Sequence, residues 1–245
     1  ARINPGGFLK GTTQMSIMQR LAGAPISWGV CEVPGWGIEL SPDRVLGEMQ
    51  QLGLSATELG SDGYLPTDPA ELKDLCQQYD LSMIGGFDPV VIHVPSEEQA
   101  TIDATHRAAK LMSAAGGTIV VSSPVTDWNW GPRRELDSSD WQQSARMLSV
   151  IDDIVGEYGM TQAMHPHLRT IVETRDDILH VLEHSDVAWT FDMGHIHKNR
   201  CNDYMSMEDF QPREIFSSDK VDGRAIKGWE CLEFVVPGSP CRPCK

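Results

Sequence analysis

Along most of the chain, short apolar runs alternate with longer stretches in which apolar residues recur at helical spacing. Ala24-Pro-Ile-Ser-Trp-Gly29 is an apolar run ending in glycine and followed by a Pro/Gly-rich loop through Gly37, so it reads as a strand feeding a loop. Ser41-Pro42-Asp43 then supplies an N-cap, a proline at the first helical position and an acid in the first turn. Val45, Leu46, Met49 and Leu52 share one face before Gly53 ends the helix. The unit recurs with a period of about thirty residues, the length of a strand-helix repeat. Strands are predicted at Ser55 to Leu59, Leu81 to Gly85, Thr118 to Ser122, Thr161 to Met164 and Val187 to Phe191. Helices are predicted at Asp68 to Tyr79, Ser96 to Ala115, Ser138 to Tyr158 and Thr174 to His184.

Alternation of this kind implies a parallel sheet with right-handed crossovers, either closed as a barrel or open and doubly wound. No GxGxxG follows the first strand and no GxxxxGK[ST] occurs anywhere, so the open sheet lacks its usual nucleotide-binding mark. The fold class expected is α/β, a TIM (β/α)8-type barrel, and 245 residues suit it. The predicted organisation is an N-terminal arm over residues 1–22, the barrel over 23–235 and a C-terminal tail over 236–245.

Composition narrows the function classes. A hydrophobic share of 40% with 22% charged residues is ordinary for a globular chain. The formal charge of −15, with no Lys/Arg run, would repel a phosphate backbone and argues against nucleic acid as a partner. The chain has no apolar stretch long enough to span a bilayer, and the run Ala1 to Gln19 lacks the apolar block of a secretion signal; a soluble, cytoplasmic protein is expected. Cys31, Cys76, Cys201, Cys231, Cys241 and Cys244 are spread unlike a disulfide scaffold and read as free thiols, with the Cys241/Cys244 pair in the tail.

In a barrel the chemistry sits where the strands end. Asp192-Met-Gly-His195 follows the apolar strand ending at Phe191 and would bring a carboxylate and an imidazole to the mouth, a mixed donor set that suits a borderline divalent ion. An Asp capping the next turn beside a surface His would have the same sequence. His165-Pro-His167 ends the preceding strand, and either imidazole is a candidate ligand. Glu173 follows the strand-like stretch Thr170-Ile-Val172 and precedes the cap Thr174, which also suits a simple helix-start carboxylate. Glu58 closes a buried strand, where a charge is costly without a partner or a task. Trp28, Trp36, Trp128 and Trp130 lie at strand ends or in the following loops and suit stacking on a sugar ring, although core packing explains a tryptophan equally well. His93 is a further candidate for the mouth.

Taken together, Gly23 through Gly37, Ala56-Thr-Glu-Leu-Gly60, His165-Pro-His167 with Glu173-Thr174, and Phe191-Asp-Met-Gly-His195 resemble the inosose dehydratase-like branch of the xylose-isomerase-like barrels, over residues 22 to 196. The resemblance implies a divalent metal, Mn first and otherwise Co, Zn, Fe or Mg, held by side chains from the last four strands. It assigns Asp192 as a ligand, with His165 or His167 where many relatives place a ligand glutamate. Glu173 and Glu58 resemble acids on the substrate side, and Trp28, Trp36, His93 and His195 are expected to contact substrate. The superfamily also includes metal-dependent DNA-repair endonucleases, and the negative charge counts against that branch.

After His195 the family pattern of helix, seventh strand with a His-x-His-x-Lys-Asp-like motif, helix and last strand is lost. Ile196 to Asp222 lacks the motif, and only Gly228-Trp-Glu-Cys-Leu-Glu233 resembles the last strand, which makes Glu233 the final ligand of the expected set beside His165 and Asp192. The barrel is therefore expected to be incomplete or irregular around its seventh strand. Exposed strand edges would need covering, which predicts a homo-oligomer. The activity implied is dehydration of an inosose-type keto-polyol through an enolate, with His167, Glu58 and Glu173 as proton carriers. A ketose epimerase or isomerase on a neutral sugar would share that enolate, and a metal-free sugar-binding or vestigial barrel would not need it. No Arg/Lys cluster marks a phosphate pocket, so a neutral polyol or sugar is the expected partner.

Overall fold

The computed structural model describes residues 21–30, 40–192, 215–217 and 230–231. Among them, strands and helices alternate in chain order as far as β6, and two further strands follow: β1 (Leu21–Gly23), α1 (Pro42–Gln51), β2 (Ala56–Glu58), α2 (Pro69–Gln78), β3 (Ser82–Val90), α3 (Glu98–Ala114), β4 (Ile119–Pro124), α4 (Ser138–Glu157), β5 (Thr161–Met164), α5 (Arg175–His184), β6 (Ala188–Phe191), β7 (Ile215–Ser217) and β8 (Glu230–Cys231). All seven pairings are parallel, in the order β7-β6-β5-β4-β3-β2-β1-β8. The end strands β7 and β8 approach one another, so the sheet curls toward a barrel. No helix among the described residues is long and apolar enough to cross a membrane.

The helices start where local chemistry dictates. The Asp68 carboxylate accepts the amides of Ala70 and Glu71 at the head of α2, and Pro69 needs no partner there. Reciprocal caps open α4, between Asp137 and Asp140, and α5, between Thr174 and Asp177. Each helix lays an apolar face on the outside of the sheet. The larger core joins Val90, Val120, Met164 and Trp189 of the strands to Ala109, Met112, Leu148, Ile151 and Ile178 of the helices. A small cluster of Ala22, Ala56 and Ile84 forms apart from this layer.

Three sequence expectations are corrected. Ala24 to Gly29 is not the first strand: Pro25–Trp28 is a 3-10 turn, closed by Gly29 at a φ of 86°, and β1 lies just before it, with Leu21 and Ala22 inside the stretch expected to be arm. β3 does not stop at Gly85 but runs on to Val90 through a bulge, because Thr57 pairs with Met83 and the next residue, Glu58, pairs with Gly85. A Cβ on Gly85 would sit 1.9 Å from the Ile119 carbonyl oxygen, so only glycine lets β3 and β4 meet there. Thr170 to Val172 is a loop rather than a strand, tied by the Ile171 amide to the Pro124 carbonyl. In the stretch with no recognisable motif, Ile215–Ser217 takes the seventh place beside β6, and Glu230–Cys231 pairs with β1 as the last strand.

Candidate functional site

Alternation along the strands decides which side chains look inward. In β5 and β6, Met164 and Trp189 lie in the outer core, so His165 and Asp192, one and three residues on, have the parity of the barrel interior. In β3 the bulge adds a residue between Met83 and Gly85 and resets the alternation. Asp88 consequently points out, where Thr105 Oγ1 of α3 donates to its Oδ2 at 3.3 Å, and Phe87 points in.

The inward residues converge. His165 and Asp192 are both buried, 5% and 9% exposed, and His165 Nε2 lies 3.9 Å from Asp192 Oδ2. That separation exceeds a hydrogen bond, and the two groups face one another across it. The backbone of His165 is fixed on two sides: its amide donates to the Ser122 carbonyl at 2.8 Å, and Ser123 Oγ donates to its carbonyl at 3.2 Å.

Around this pair stands an aromatic wall. The rings of Phe87 and Trp130 stack at 5.9 Å and 16°, His167 meets the Trp130 ring edge-on at 5.5 Å, and Phe87 meets His165 edge-on at 6.2 Å. The rings of His165 and His167 are 5.6 Å apart. His167 Nδ1 lies 2.8 Å from the Leu168 carbonyl oxygen. A carbonyl can only accept, so Nδ1 carries the proton, and in the neutral ring Nε2 is the basic nitrogen. Trp130 holds a left-handed backbone at a φ of 56°, in a turn stabilised by Asp127 Oδ1, which accepts from the amides of Asn129 and Gly131.

Arg133 ties the Trp130 loop to the Glu173 loop. Its guanidinium grips both oxygens of Asp177 at 3.0 and 3.1 Å, and its Nε lies 3.7 Å from Glu173 Oε2. Asp177 Oδ2 in turn accepts the amides of Glu173 and Thr174 at 3.1 and 2.7 Å. Burial pulls the Arg133 pKa down, but the bonds to Glu135 and Asp177 outweigh it and hold the group above its usual value. Glu58 stands at the bulged end of β2, where its carbonyl accepts from Thr57 Oγ1.

The structure thus gathers His165, Asp192 and His167, and brings Glu173 under Arg133. It directs two other candidates elsewhere. The Trp28 indole donates to Glu48 Oε2 of α1 at 2.8 Å and packs on the core around Leu46 and Met49. His93 lies in a separate cleft against α4. Trp36, His195 and Glu233 fall outside the described residues, and no group of three or more His, Cys, Asp and Glu suited to a metal ion occurs among the described ones. Sequence reasoning did not single out Arg133 within its loop, because its role depends on Asp177, forty-four residues away. The strand expected over Leu81 to Gly85 stopped short of Phe87, which lies inside β3 beyond the bulge.

Comparison with known proteins agrees with this architecture. A family model described as xylose isomerase-like TIM barrel matches residues 46–230. The inosose dehydratase of Geobacillus kaustophilus (strain HTA426) is 30% identical over 250 aligned positions, covering 91% of this chain and 79% of that protein. The chain spans 62% of the length of the inosose dehydratase of Salmonella typhimurium and 56% of that of the rhizopine catabolism protein MocC of Rhizobium meliloti. Among solved structures, the IolI protein with a bound zinc atom superposes with a TM-score of 0.59 at 14% identity, over 83% of this chain and 74% of that one. The D-allulose 3-epimerase of Methylomonas sp. in complex with D-allulose gives a TM-score of 0.57 at 14% identity, over 75% and 65%. This chain belongs to the xylose isomerase-like TIM barrel family, as an enzyme of its inosose dehydratase-like branch.

Proposed function

We propose that the chain is a metal-dependent lyase that removes water from a keto-polyol of the inosose type, a cyclic ketone carrying hydroxyls on its neighbouring carbons. The observation that carries this reading is the convergence of buried His165 and Asp192 at the ends of adjacent strands, beneath the wall of Phe87, Trp130 and His167. One imidazole and one carboxylate, 3.9 Å apart and not joined by a hydrogen bond to each other, fit a borderline divalent ion, Mn or otherwise Co, Zn, Fe or Mg. Glu233 is the third ligand of this proposal. Such an ion, when bound, polarises the substrate ketone and acidifies the adjacent C–H.

His167 then takes that proton on Nε2, the nitrogen left basic by the Nδ1 contact with Leu168. The electron pair of the broken C–H bond forms the double bond, the β C–O bond breaks, and Glu58 or Glu173 protonates the departing hydroxyl, which leaves as water. The enol product tautomerises to a 1,2-diketone. The aromatic wall packs on the C–H face of the ring. Arg133 is engaged by Asp177 and Glu135, which favours a neutral substrate over a sugar phosphate.

A ketose epimerase is the second reading, favoured by the same aromatic wall and the epimerase neighbour. Incubation with 2-keto-myo-inositol and with D-allulose in deuterated water, followed by mass spectrometry, separates the two. A lyase yields the diketone with loss of one water; an epimerase yields a deuterated epimer and no water. Absence of both products with metal supplied would overturn both readings.

A further inference from the structure

A second concave surface lies at the rim of the barrel, between the segment that follows β3 and the first turns of α4. It is a cleft of about 300 Å³ lined by His93, Pro95, Ser139, Asp140, Gln142, Gln143 and Arg146, and none of Phe87, His165, His167 or Asp192 contributes to it. His93 is 1% exposed, and neither of its ring nitrogens has a hydrogen-bond partner within the described protein. A buried polar atom left unmatched is costly, so the imidazole favours any occupant that satisfies it. Burial, and secondarily the charge of Arg134, holds the His93 pKa below the usual histidine value. The ring is therefore neutral and offers one donor and one acceptor.

The rest of the lining defines what that occupant is. Arg146 pairs with Glu98, and Asp140 is gripped by Arg134 at 2.9 and 3.0 Å, so both charges in the cleft are already compensated. The helix end is also taken, because Asp137 Oδ1 accepts the amides of Ser139 and Asp140. An anion would find its cation and its amides engaged. The Gln143 carboxamide is engaged too, donating to Glu98 and accepting from Arg146, and the groups that remain, the His93 ring and the Gln142 carboxamide, are neutral and carry both donors and acceptors. A hydroxyl is the small group that donates and accepts at once, and several of them on a ring match this set.

We propose that the His93 cleft is a second small-molecule site, separate from the barrel mouth, which binds a neutral polyhydroxylated compound of the cyclitol or sugar class through His93 and Gln142. The inference does not depend on the lyase reading. Its test is a titration of the full chain, labelled with ¹⁵N in its histidine rings, with myo-inositol and with D-glucose, each followed by NMR. His93 is assigned by correlation to its backbone, so no variant of this buried residue is needed. Binding at the cleft shifts the His93 ring signals in the wild type and equally in Asp192→Ala. It weakens about tenfold when the exposed Gln142 is changed to alanine, the loss expected for a hydrogen bond worth about 1.4 kcal/mol. His93 signals that stay in place with both compounds would overturn the proposal. So would shifts abolished by Asp192→Ala, which assign the binding to the mouth, and shifts of unchanged affinity in Gln142→Ala.

Discussion

Asp88, near the end of β3, and Asp192, just after β6, are buried to nearly the same degree, 5% and 9% exposed, yet they face opposite sides of one sheet. Asp88 lies between sheet and helices, takes its hydrogen bond from Thr105, and has Arg107 in its electrostatic surroundings. Burial pushes its pKa from 3.8 up to about 7, against the smaller opposing effects of Thr105 and Arg107. Asp192 faces the mouth and lies across from His165. On the proposed reading, a buried carboxylate marks chemistry only on the inner face of this barrel. The face is set by strand parity, which at β3 depends on one extra residue in a bulge.

Changing the inner aspartate should have the largest effect. Asp192→Ala is expected to lower kcat/KM by about a thousandfold, the several kcal/mol of charge stabilisation a ligand position supports, while Asp88→Ala leaves turnover near wild type. Steady-state rates of dehydration compare the two, and equal losses would erase the distinction between the faces. His167→Gln, which keeps a polar group but loses the basic nitrogen, should reduce kcat about a hundredfold, the lower range for a general base. Single-turnover measurement of proton loss from a deuterated substrate checks it.

Asp88 has its own signature. An acid whose folded pKa is raised binds its proton in the native state at a pH where the unfolded chain has released it, so stability falls as pH rises from about 4 to about 7 and levels above that. Asp88→Asn should flatten this slope and be the more stable protein at neutral pH by on the order of 2 kcal/mol, as read by urea melts across that range. The smallest effect belongs to the wall. Trp130→Asn, which tolerates the left-handed backbone, removes the stack on Phe87 and should raise KM about tenfold. An unchanged KM would place the substrate away from Phe87.

The parts legible in the sequence are those whose chemistry is local. Thr161–Met164 is the strand expected, and α2, α4 and α5 begin within a residue or two of their expected starts, since Asp68, Asp137 and Thr174 cap their own helices. His165 and Asp192 were legible as a pair of strand-end residues because each directly follows a segment expected as a strand. The first strand was misplaced because Pro25 and Gly29 make an apolar segment turn rather than extend. The aromatic wall and the Arg133 clamp join residues from separate repeats, and no local pattern reports which loops a closing sheet will bring together. Seventh-strand placement was similarly hidden, since Ile215–Ser217 is recognised by its pairing with β6 and not by any motif.

The most direct test of the account is metal content, measured by elemental analysis after mild dialysis of the wild type, Asp192→Ala and Asp88→Ala. The account predicts about one divalent ion per chain in the wild type and in Asp88→Ala, and loss of that ion in Asp192→Ala. Wild-type protein that holds no ion after addition of Mn²⁺, or an Asp192→Ala protein that retains it, would contradict the claim that the inner pair of His165 and Asp192 is the centre of the chemistry.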